Sequence, residues 1–216
     1  MEVTEHALFP TRVLTIEFSD TSALDQELCD LFEKGDEFAK HFNMHPDAMN
    51  LLRLADTVPA IARLRQMFLD GLKRWLAMDA ADAPDEVDIV LFSNCASRGE
   101  FTLVHNHNAD LVGVYYARTA SSDRPPVYHP DNDDDYFEAG DGMLILHDPR
   151  FNANLAAVRN QDQVKVFARP GLMLIFPGYL WHSVTPHLGE FRRLSFSMNF
   201  TLRWPGGPTA ERHALA

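Results

Sequence analysis

Three histidines of this chain have the spacing of a metal site. The stretch RGEFTLVHNHNADLVGVYYAR places His105 and His107 two residues apart at the end of a predicted strand. Alternate side chains of a strand share a face, so the two imidazoles would point into the same interior. An apolar strand and a Pro-Gly turn then lead to His182 on a distant strand. A close pair and a single distant ligand predict a site for a borderline metal such as Fe(II) or Zn(II).

The last predicted strand carries a group suited to an anion. It alternates strictly from residue 193 to residue 200, so that one face has the polar set Arg193, Ser195, Ser197 and Asn199. A guanidinium is a planar fork that grips a carboxylate through two hydrogen bonds, and here a hydroxyl follows it on the same face. Arg192 would point to the opposite face. We therefore expect Arg193, with Ser195 beside it, to bind a carboxylate.

The first part of the chain predicts two helices. Apolar residues recur at helical spacing between Ser22 and Gly35, and Asp25 is placed to form a capping pair with Ser22. A second apolar pattern runs over residues 61–76, with Pro59 where the first helical turn would lie. Residues 1–84 are therefore expected to form an N-terminal helical layer.

The sequence after residue 84 has a pattern typical of a β structure. Short segments rich in β-branched and aromatic residues are separated by Gly, Pro, Asn and Asp. The expected strands lie near residues 87–94, 100–106, 111–118, 143–147, 163–168, 172–176, 179–185 and 191–202. Eight short strands suit a double-sheet jelly roll over residues 85–204, against which the two helices would pack. The length of 216 residues fits a single domain over residues 1–216.

For one long segment and three histidines, the sequence predicts a position in the fold but no definite role. Residues 119–142 are too polar and too rich in Pro and Asp for a core element, so they predict a long surface loop, either a lid or a solvated connector. His129 and His187 fall in predicted loops, where a surface position is expected. His147 stands at a strand end, where it is either a site residue or a surface group.

Composition excludes some classes of partner. The formal charge of -12, from 31 acidic and 19 basic residues, would repel polyphosphates, so neither nucleic acid nor an anionic membrane is expected as a partner. No run of residues approaches the ~20 apolar positions of a membrane span. Two cysteines far apart in sequence suit a reducing compartment, and a cytoplasmic location is expected.

The motifs together resemble a known family. H-x-H followed by G-V-Y-Y, then D-P-R, then F-P with a histidine, then R-x-S-x-S-x-N is similar to the 2-oxoglutarate/iron(II) oxygenase family of bacterial and phage proteins, over residues 87–202. The resemblance implies a double-stranded β-helix, a jelly roll of the cupin-like kind. It also implies Fe(II) as the metal, and 2-oxoglutarate, O2 and a substrate that the sequence does not identify as partners.

The resemblance assigns roles to individual residues. The iron ligands would be His105, His107 and His182, and Arg193 with Ser195 would clamp the C5 carboxylate of 2-oxoglutarate. Asn94 and Tyr116 are further candidates for binding the co-substrate, on strands expected to flank the metal strand, although packing roles fit them equally well.

One departure leaves alternatives open. The wider superfamily has H-x-D where this chain has H-x-H, which makes the site one unit more positive. Asp110 could restore a carboxylate only if the chain turned at residues 108–109. The alternatives to a 2-oxoglutarate-dependent hydroxylase are a cupin-like three-histidine dioxygenase that uses no keto acid, and a barrel that binds a metal or small ligand without catalysis.

Overall fold

The structure is a computed structural model that describes residues 10–34, 50–78, 83–120, 127–128, 141–150 and 163–204. Both predicted helices are present, α1 over Ser22–Lys34 and α2 over Pro59–Ala77, with a short 3-10 helix over Leu51–Leu54 between them. Ser22 does not cap Asp25 as expected, because Thr21 makes that contact instead: the Thr21 hydroxyl donates to the Asp25 carboxylate at 2.7 Å.

Ten strands are found among the described residues, and they form two five-stranded antiparallel sheets. Their bounds are β1 Leu14–Glu17, β2 Glu86–Ala96, β3 Thr102–His105, β4 Leu111–Arg118, β5 Val127–Tyr128, β6 Leu144–His147, β7 Gln163–Val166, β8 Leu172–Pro177, β9 His182–Val184 and β10 Arg193–Arg203. Sheet A has the order β1-β8-β4-β10-β2, and sheet B has the order β3-β9-β6-β7-β5. The eight predicted strands are confirmed.

Two strands were not predicted. β1 lies in the segment expected to be purely helical, and it pairs with β8 at the edge of sheet A. β5 lies in the segment expected to be a long surface loop, and it pairs with β7 at the edge of sheet B. The remainder of that segment up to residue 140, beyond residues 119–120, lies outside the described residues, so its role as a lid stays a prediction.

Sheet A is covered on both faces. On one face the apolar side chains of β10 pack with both helices; these side chains are Leu194, Phe196, Met198 and Phe200. On the other face a second apolar cluster joins sheet A to sheet B; it includes Val112, Tyr116, Leu174, Leu146 and Val166. The polar face of β10 therefore points between the two sheets and not toward solvent, which is why Ser195 and Ser197 are buried.

Helix α2 lies unusually close to sheet A at two glycines. A methyl group at Gly71 of α2 would come within 2.7 Å of the Ile175 side chain on β8, and one at Gly113 of β4 would come within 2.8 Å of the Phe68 ring on α2. At both positions an added methyl group would have to displace a side chain of the facing element, Ile175 or Phe68. This close contact fixes the outer face of the strands that carry the site.

None of the described helices is long and apolar enough to cross a membrane.

Candidate functional site

The three predicted metal ligands come together at one end of sheet B. His105 ends β3 and is the cross-strand partner of His182, which begins β9. His107 lies beyond the end of β3, where its backbone N–H donates to the Gly178 carbonyl at 2.9 Å. Contrary to the expectation, the two histidines do not lie on one continuous strand. The chain continues past the end of β3 and still places the His107 ring 5.2 Å from the His105 ring. The candidate ligand atoms of the three residues all lie within 4.8 Å of one another.

The backbone orients two of the three rings. Nδ1 of His105 contacts the Leu103 carbonyl at 2.8 Å, and Nδ1 of His182 contacts the Leu180 carbonyl at 2.9 Å. A carbonyl oxygen only accepts, so each Nδ1 must donate a proton and each Nε2 must carry the lone pair. Both rings are thus held in the tautomer that a metal ligand needs.

Burial keeps two of the imidazoles neutral. It lowers the pKa of His107 to about 4, helped by the neighbouring His105 and opposed by Asn199. It also lowers the pKa of His182 to about 4, against the opposing hydrogen bond to Leu180. Phenyl rings enclose both residues, since Phe92 stacks on His107 and Phe176 packs edge-on against His182. Neutral imidazoles are the form that binds a metal.

Asp110 does not restore a carboxylate to this cluster. The chain does bend at residues 108–110. The Asp110 carboxylate, however, accepts a hydrogen bond from the backbone N–H of Leu202 at 2.7 Å, and its own N–H donates to the Phe200 carbonyl. Asp110 therefore ties the bend to β10, and the candidate ligand set consists of three histidines.

Arg193 is a buried cation that forms no ion pair with any residue the structure describes. Only 4% of it is exposed, and its Nη1 donates to the Ser195 hydroxyl at 3.2 Å. The guanidinium lies over the Tyr116 ring at 5.3 Å, while Nε has no hydrogen-bond partner. Burial lowers the pKa of Arg193, but a guanidinium stays charged in proteins. Among the described residues, no carboxylate forms an ion pair with it, so the site is prepared for an anionic ligand.

Asn94 and Tyr116 flank this arginine pocket. Both are cross-strand partners of Ser195, Asn94 on β2 and Tyr116 on β4. Their strands were expected to flank the strand of His105. They flank β10 instead, the strand that carries Arg193. The Asn94 amide donates to the Ser197 hydroxyl at 3.4 Å, whereas the Tyr116 hydroxyl is buried without a partner. Burial raises the pKa of Tyr116 to about 12, so its hydroxyl is a neutral donor.

A small cleft of about 20 Å³ opens beside Arg193. Asn94 lines one side of it, and Thr102 and Val184 line another. Thr102 and Val184 are cross-strand partners on β3 and β9, the same two strands that carry His105 and His182. The pair of strands thus contributes both to the histidine cluster and to the wall of the cleft.

His187 lies in the wall of the cleft, although the sequence predicted a surface position for it. It is 1% exposed and lines the cleft with Arg193. Its Nδ1 contacts the Asp141 carboxylate at 2.6 Å, and its Nε2 contacts the Phe191 carbonyl at 2.6 Å. Gly142, next to Asp141, has a φ of +59°, and a methyl group there would come within 2.7 Å of Arg193 Cδ. The segment around His187 therefore forms the rear wall of the arginine pocket.

The remaining histidines contribute little to the described site. His147 is held by the Ser183 hydroxyl at 3.1 Å and is not part of the three-histidine cluster. His129 lies outside the described residues.

The donor sets fit a metal and an organic dianion. Three convergent imidazoles, two of them backbone-oriented, suit a divalent ion such as Fe(II). A buried guanidinium with a neighbouring hydroxyl and an unpartnered phenol suits a carboxylate. A sandwich of two sheets with such a pair of sites defines a metal-dependent enzyme that takes a carboxylate co-substrate.

Comparison with known proteins identifies the class more closely. The model of the family described as 2OG-Fe(II) oxygenase matches residues 90–199, which is 110 of the 216 residues, and the chain belongs to this family. Its metal is accordingly Fe(II), and 2-oxoglutarate and O2 are its co-substrates, as the sequence motifs predicted. A search of curated proteins finds no match.

Solved structures share the fold. A prolyl-4-hydroxylase from Pseudomonas putida is 16% identical with a TM-score of 0.51, and the match covers 89% of each chain. HygX from Streptomyces hygroscopicus, solved with nickel, 2-oxoglutarate and hygromycin B, is 16% identical with a TM-score of 0.56 over 92% of this chain and 84% of that one. The predicted double-stranded β-helix is confirmed.

Proposed function

We propose that His105, His107 and His182 bind the Fe(II) of this oxygenase, and that Arg193 binds the C5 carboxylate of 2-oxoglutarate. The observation that carries the proposal is the burial of Arg193 without an anionic partner in the part of the chain that the structure describes. A guanidinium in this state costs free energy unless a ligand neutralises it. Membership of the 2-oxoglutarate oxygenase family supports 2-oxoglutarate as this ligand.

The surrounding residues have distinct roles in the proposal. The Ser195 hydroxyl accepts a hydrogen bond from the guanidinium and holds it beside the cleft. The unpartnered Tyr116 hydroxyl donates to the bound carboxylate, and the Asn94 amide is a second donor on the other side of Ser195. The phenyl rings of Phe92 and Phe176 exclude water from the histidines. These groups bind and orient the co-substrate before a reaction takes place.

The reaction we propose is hydroxylation of a C–H bond. Bound Fe(II) and 2-oxoglutarate supply the oxidising power, such that R–H, O2 and 2-oxoglutarate become R–OH, succinate and CO2. The substrate is not set by the fold. One structural neighbour is a prolyl-4-hydroxylase, and another was solved with hygromycin B bound. Similar barrels thus accommodate different molecules, and substrate choice depends on the residues around the cleft.

The proposal is tested by replacing one of two adjacent arginines. Arg193→Leu removes the buried guanidinium, while Arg192→Leu removes an exposed one and serves as the matched control. Under anaerobic conditions, the parent with Fe(II) and 2-oxoglutarate should show the visible absorption band of the chelate. Loss of a buried, charge-paired anchor costs about 2–5 kcal/mol, so Arg193→Leu should bind 2-oxoglutarate at least ~30-fold more weakly.

Two results would contradict the proposal. One is an unchanged 2-oxoglutarate affinity in Arg193→Leu, and the other is the absence of the chelate band in the parent. A parent that binds Fe(II) and consumes O2 without 2-oxoglutarate would instead point to the cupin-like three-histidine dioxygenase. Neither that alternative nor a non-catalytic barrel gives Arg193 a role, and family membership favours the oxygenase.

The cellular location remains a proposal of the same kind. We place the enzyme in the cytoplasm because Cys29 and Cys95 are buried thiols that form no disulfide among the described residues, as suits a reducing compartment.

A further inference from the structure

Two hydrogen bonds join the segment that carries His107 to the turn that precedes His182. The backbone N–H of His107 donates to the Gly178 carbonyl at 2.9 Å, and the Gly178 N–H donates to the Asp110 carbonyl at 2.9 Å. Gly178 follows the last residue of β8, and the turn that it begins leads to His182 at the start of β9. The same short turn therefore bears on two of the three proposed ligands.

The bend over residues 107–110 touches this turn directly. A methyl group at Gly178 would overlap the Ala109 carbonyl group and would lie 3.1 Å from the His107 carbonyl oxygen. Both neighbours are backbone atoms, which cannot rotate away as the end of a flexible side chain can. Gly178 is thus at a close approach of two backbones, and any larger residue there must displace the bend that carries His107.

Asp110 holds the other end of the bend to β10. Its N–H donates to the Phe200 carbonyl at 2.9 Å, and its carboxylate accepts from the Leu202 N–H at 2.7 Å. Leu111 and Phe200 are the last pair of β4 with β10, while β10 continues to Arg203. A backbone N–H is an obligatory donor, and the Asp110 carboxylate supplies its acceptor where the main chain of the bend has left the sheet.

We propose that Asp110 and Gly178 are the positioning residues of His107. Asp110 holds the bend against β10, and Gly178 holds it against the turn before β9. The bend in turn fixes where the His107 ring stands, 5.2 Å from the His105 ring and 5.1 Å from the His182 ring. The proposal rests on the assignment of His107 as a ligand.

His107 needs such support because it lies beyond the end of β3. His105 and His182 are cross-strand partners, so the pairing of β3 with β9 places both of them. A functional set of side chains must be held within about 0.5 Å of its productive geometry, which an unsupported bend does not achieve. The carboxylate of the H-N-H-N-A-D segment, Asp110, therefore serves the site without binding the metal.

Four variants test the proposal. Asp110→Ala removes the acceptor for Leu202, while Asp110→Asn removes the charge but keeps an oxygen at the same place. Asp88→Ala is the matched control, because Asp88 is an exposed carboxylate that bonds Arg203 at the same end of β10. Gly178→Ala presses on the bend from the other side.

The first readout needs no metal. Hydrogen exchange of the metal-free protein, followed by NMR, reports how often the His107 and Gly178 amides open. Both should exchange about 10-fold faster in Asp110→Ala, with the amides at the centre of β10 unchanged, because only the bend is released. Asp110→Asn and Asp88→Ala should stay within about 3-fold of the parent. Parent-like exchange in Asp110→Ala, or faster exchange throughout β10, would overturn the proposal.

The second readout is the affinity for Co(II), which the visible spectrum of the bound ion reports. Loss of a group that orients a ligand weakens metal binding by ~10–100-fold. We therefore expect a loss of about 10-fold for Asp110→Ala and Gly178→Ala, and of less than ~3-fold for Asp110→Asn and Asp88→Ala. A loss of about 10-fold in Asp110→Asn would show that the charged carboxylate itself is needed by the metal, and it would overturn the proposal whether or not Asp110→Ala folds.

His107→Gln separates this proposal from the assignment on which it rests. If His107→Gln binds Co(II) as the parent does, His107 is not a ligand and that part of the proposed function fails. If His107→Gln binds Co(II) weakly while Asp110→Ala and Gly178→Ala bind it as the parent does, only the positioning role fails.

Discussion

Arg193 combines a functional advantage with a structural cost. The guanidinium is buried between two sheets, and one of its nitrogens has no partner. Desolvation of an unpaired charge opposes folding, and the cost is recovered only when an anion binds. The ligand-free protein should therefore be more stable when Arg193 is replaced by an apolar residue, although the proposed chemistry depends on Arg193.

We expect Arg193→Met to stabilise the ligand-free protein. Urea unfolding should give a free energy of unfolding higher than that of the parent by about 1–3 kcal/mol, because an unsatisfied buried cation is replaced by an apolar side chain. With Ni(II) saturating in both proteins, 2-oxoglutarate at about 100 times its dissociation constant from the parent should add about 2.7 kcal/mol to the parent and less than about 1 kcal/mol to the variant. Arg192→Met, at an exposed position, should stay within about 0.5 kcal/mol of the parent in both conditions. A less stable ligand-free Arg193→Met would contradict the inference.

A second buried charge lies on the helical side of sheet A. The Asp25 carboxylate on α1 accepts from the Tyr115 hydroxyl on β4 at 2.6 Å and from Thr21 at 2.7 Å. Burial raises the pKa of Asp25, and these two hydrogen bonds lower it in part. The pair ties α1 to the centre of sheet A, where the remaining contacts are apolar.

Removing the Tyr115 hydroxyl should destabilise the fold in a pH-dependent way. Tyr115→Phe leaves a buried carboxylate short of one donor, at a cost of about 1–3 kcal/mol near neutral pH. The change raises the folded-state pKa of Asp25 further. A raised carboxyl pKa costs stability above that pKa and nothing below the unfolded value, near about 3.9. The deficit measured by urea unfolding should therefore shrink as the pH is lowered toward ~4. A deficit independent of pH would show that Asp25 is not the group involved.

How much of the site could be predicted depended on whether its residues leave a local pattern. His105, His107 and Arg193 stand at regular spacings on or next to strands, and the structure brings the three histidines together. His187 left no such trace, because its partner Asp141 is 46 positions away in the sequence. The roles of the individual residues stay predictions.

At the scale of elements, β10 links the fold and the site. Its apolar face packs on both helices, and its polar face points between the sheets toward the cleft. Strict alternation in the sequence usually indicates one face in water, and here both faces are mostly buried. The sequence showed the alternation, but only the short separation between His182 and Arg193 suggested that the polar face belonged to a site.

The close contact between α2 and sheet A should be sensitive to one methyl group. Gly113→Ala would press on the Phe68 ring, so the free energy of unfolding should fall by about 1–3 kcal/mol through overpacking. Phe68→Leu alone should also be destabilising because it leaves a cavity. The double variant should be more stable than the sum of the two changes implies, since the smaller side chain makes room for the methyl group. Additive losses would contradict the proposed contact.

The missed strands have a common physical reason. β1 and β5 are both short edge strands, of four and two residues, and each pairs on one side only. Propensity in so short a segment is weak, and pairing with a partner far along the chain decides its conformation. The eight strands that were predicted carry stronger patterns, either continuous apolar runs or strict alternation.

At the scale of the whole molecule, the single domain predicted over residues 1–216 can be tested by unfolding. Trp75 is buried in the helical cluster, while Trp181 is exposed and precedes His182, a proposed iron ligand. Two variants that lack Trp204, each keeping only one of these two tryptophans, should give fluorescence urea curves that superimpose on each other and on far-ultraviolet circular dichroism. Separate transitions would show that the helical layer and the barrel unfold independently.

The position of sheet A between two apolar clusters has a consequence for how this enzyme can change over evolutionary time. Residues that hold the helices to the sheet occupy one face of β10, and residues around the cleft occupy the other. A substitution on the cleft side alters what the pocket accepts while the helical packing behind it is left intact. The chain can thus acquire new substrate preferences in single steps without first losing its capacity to fold.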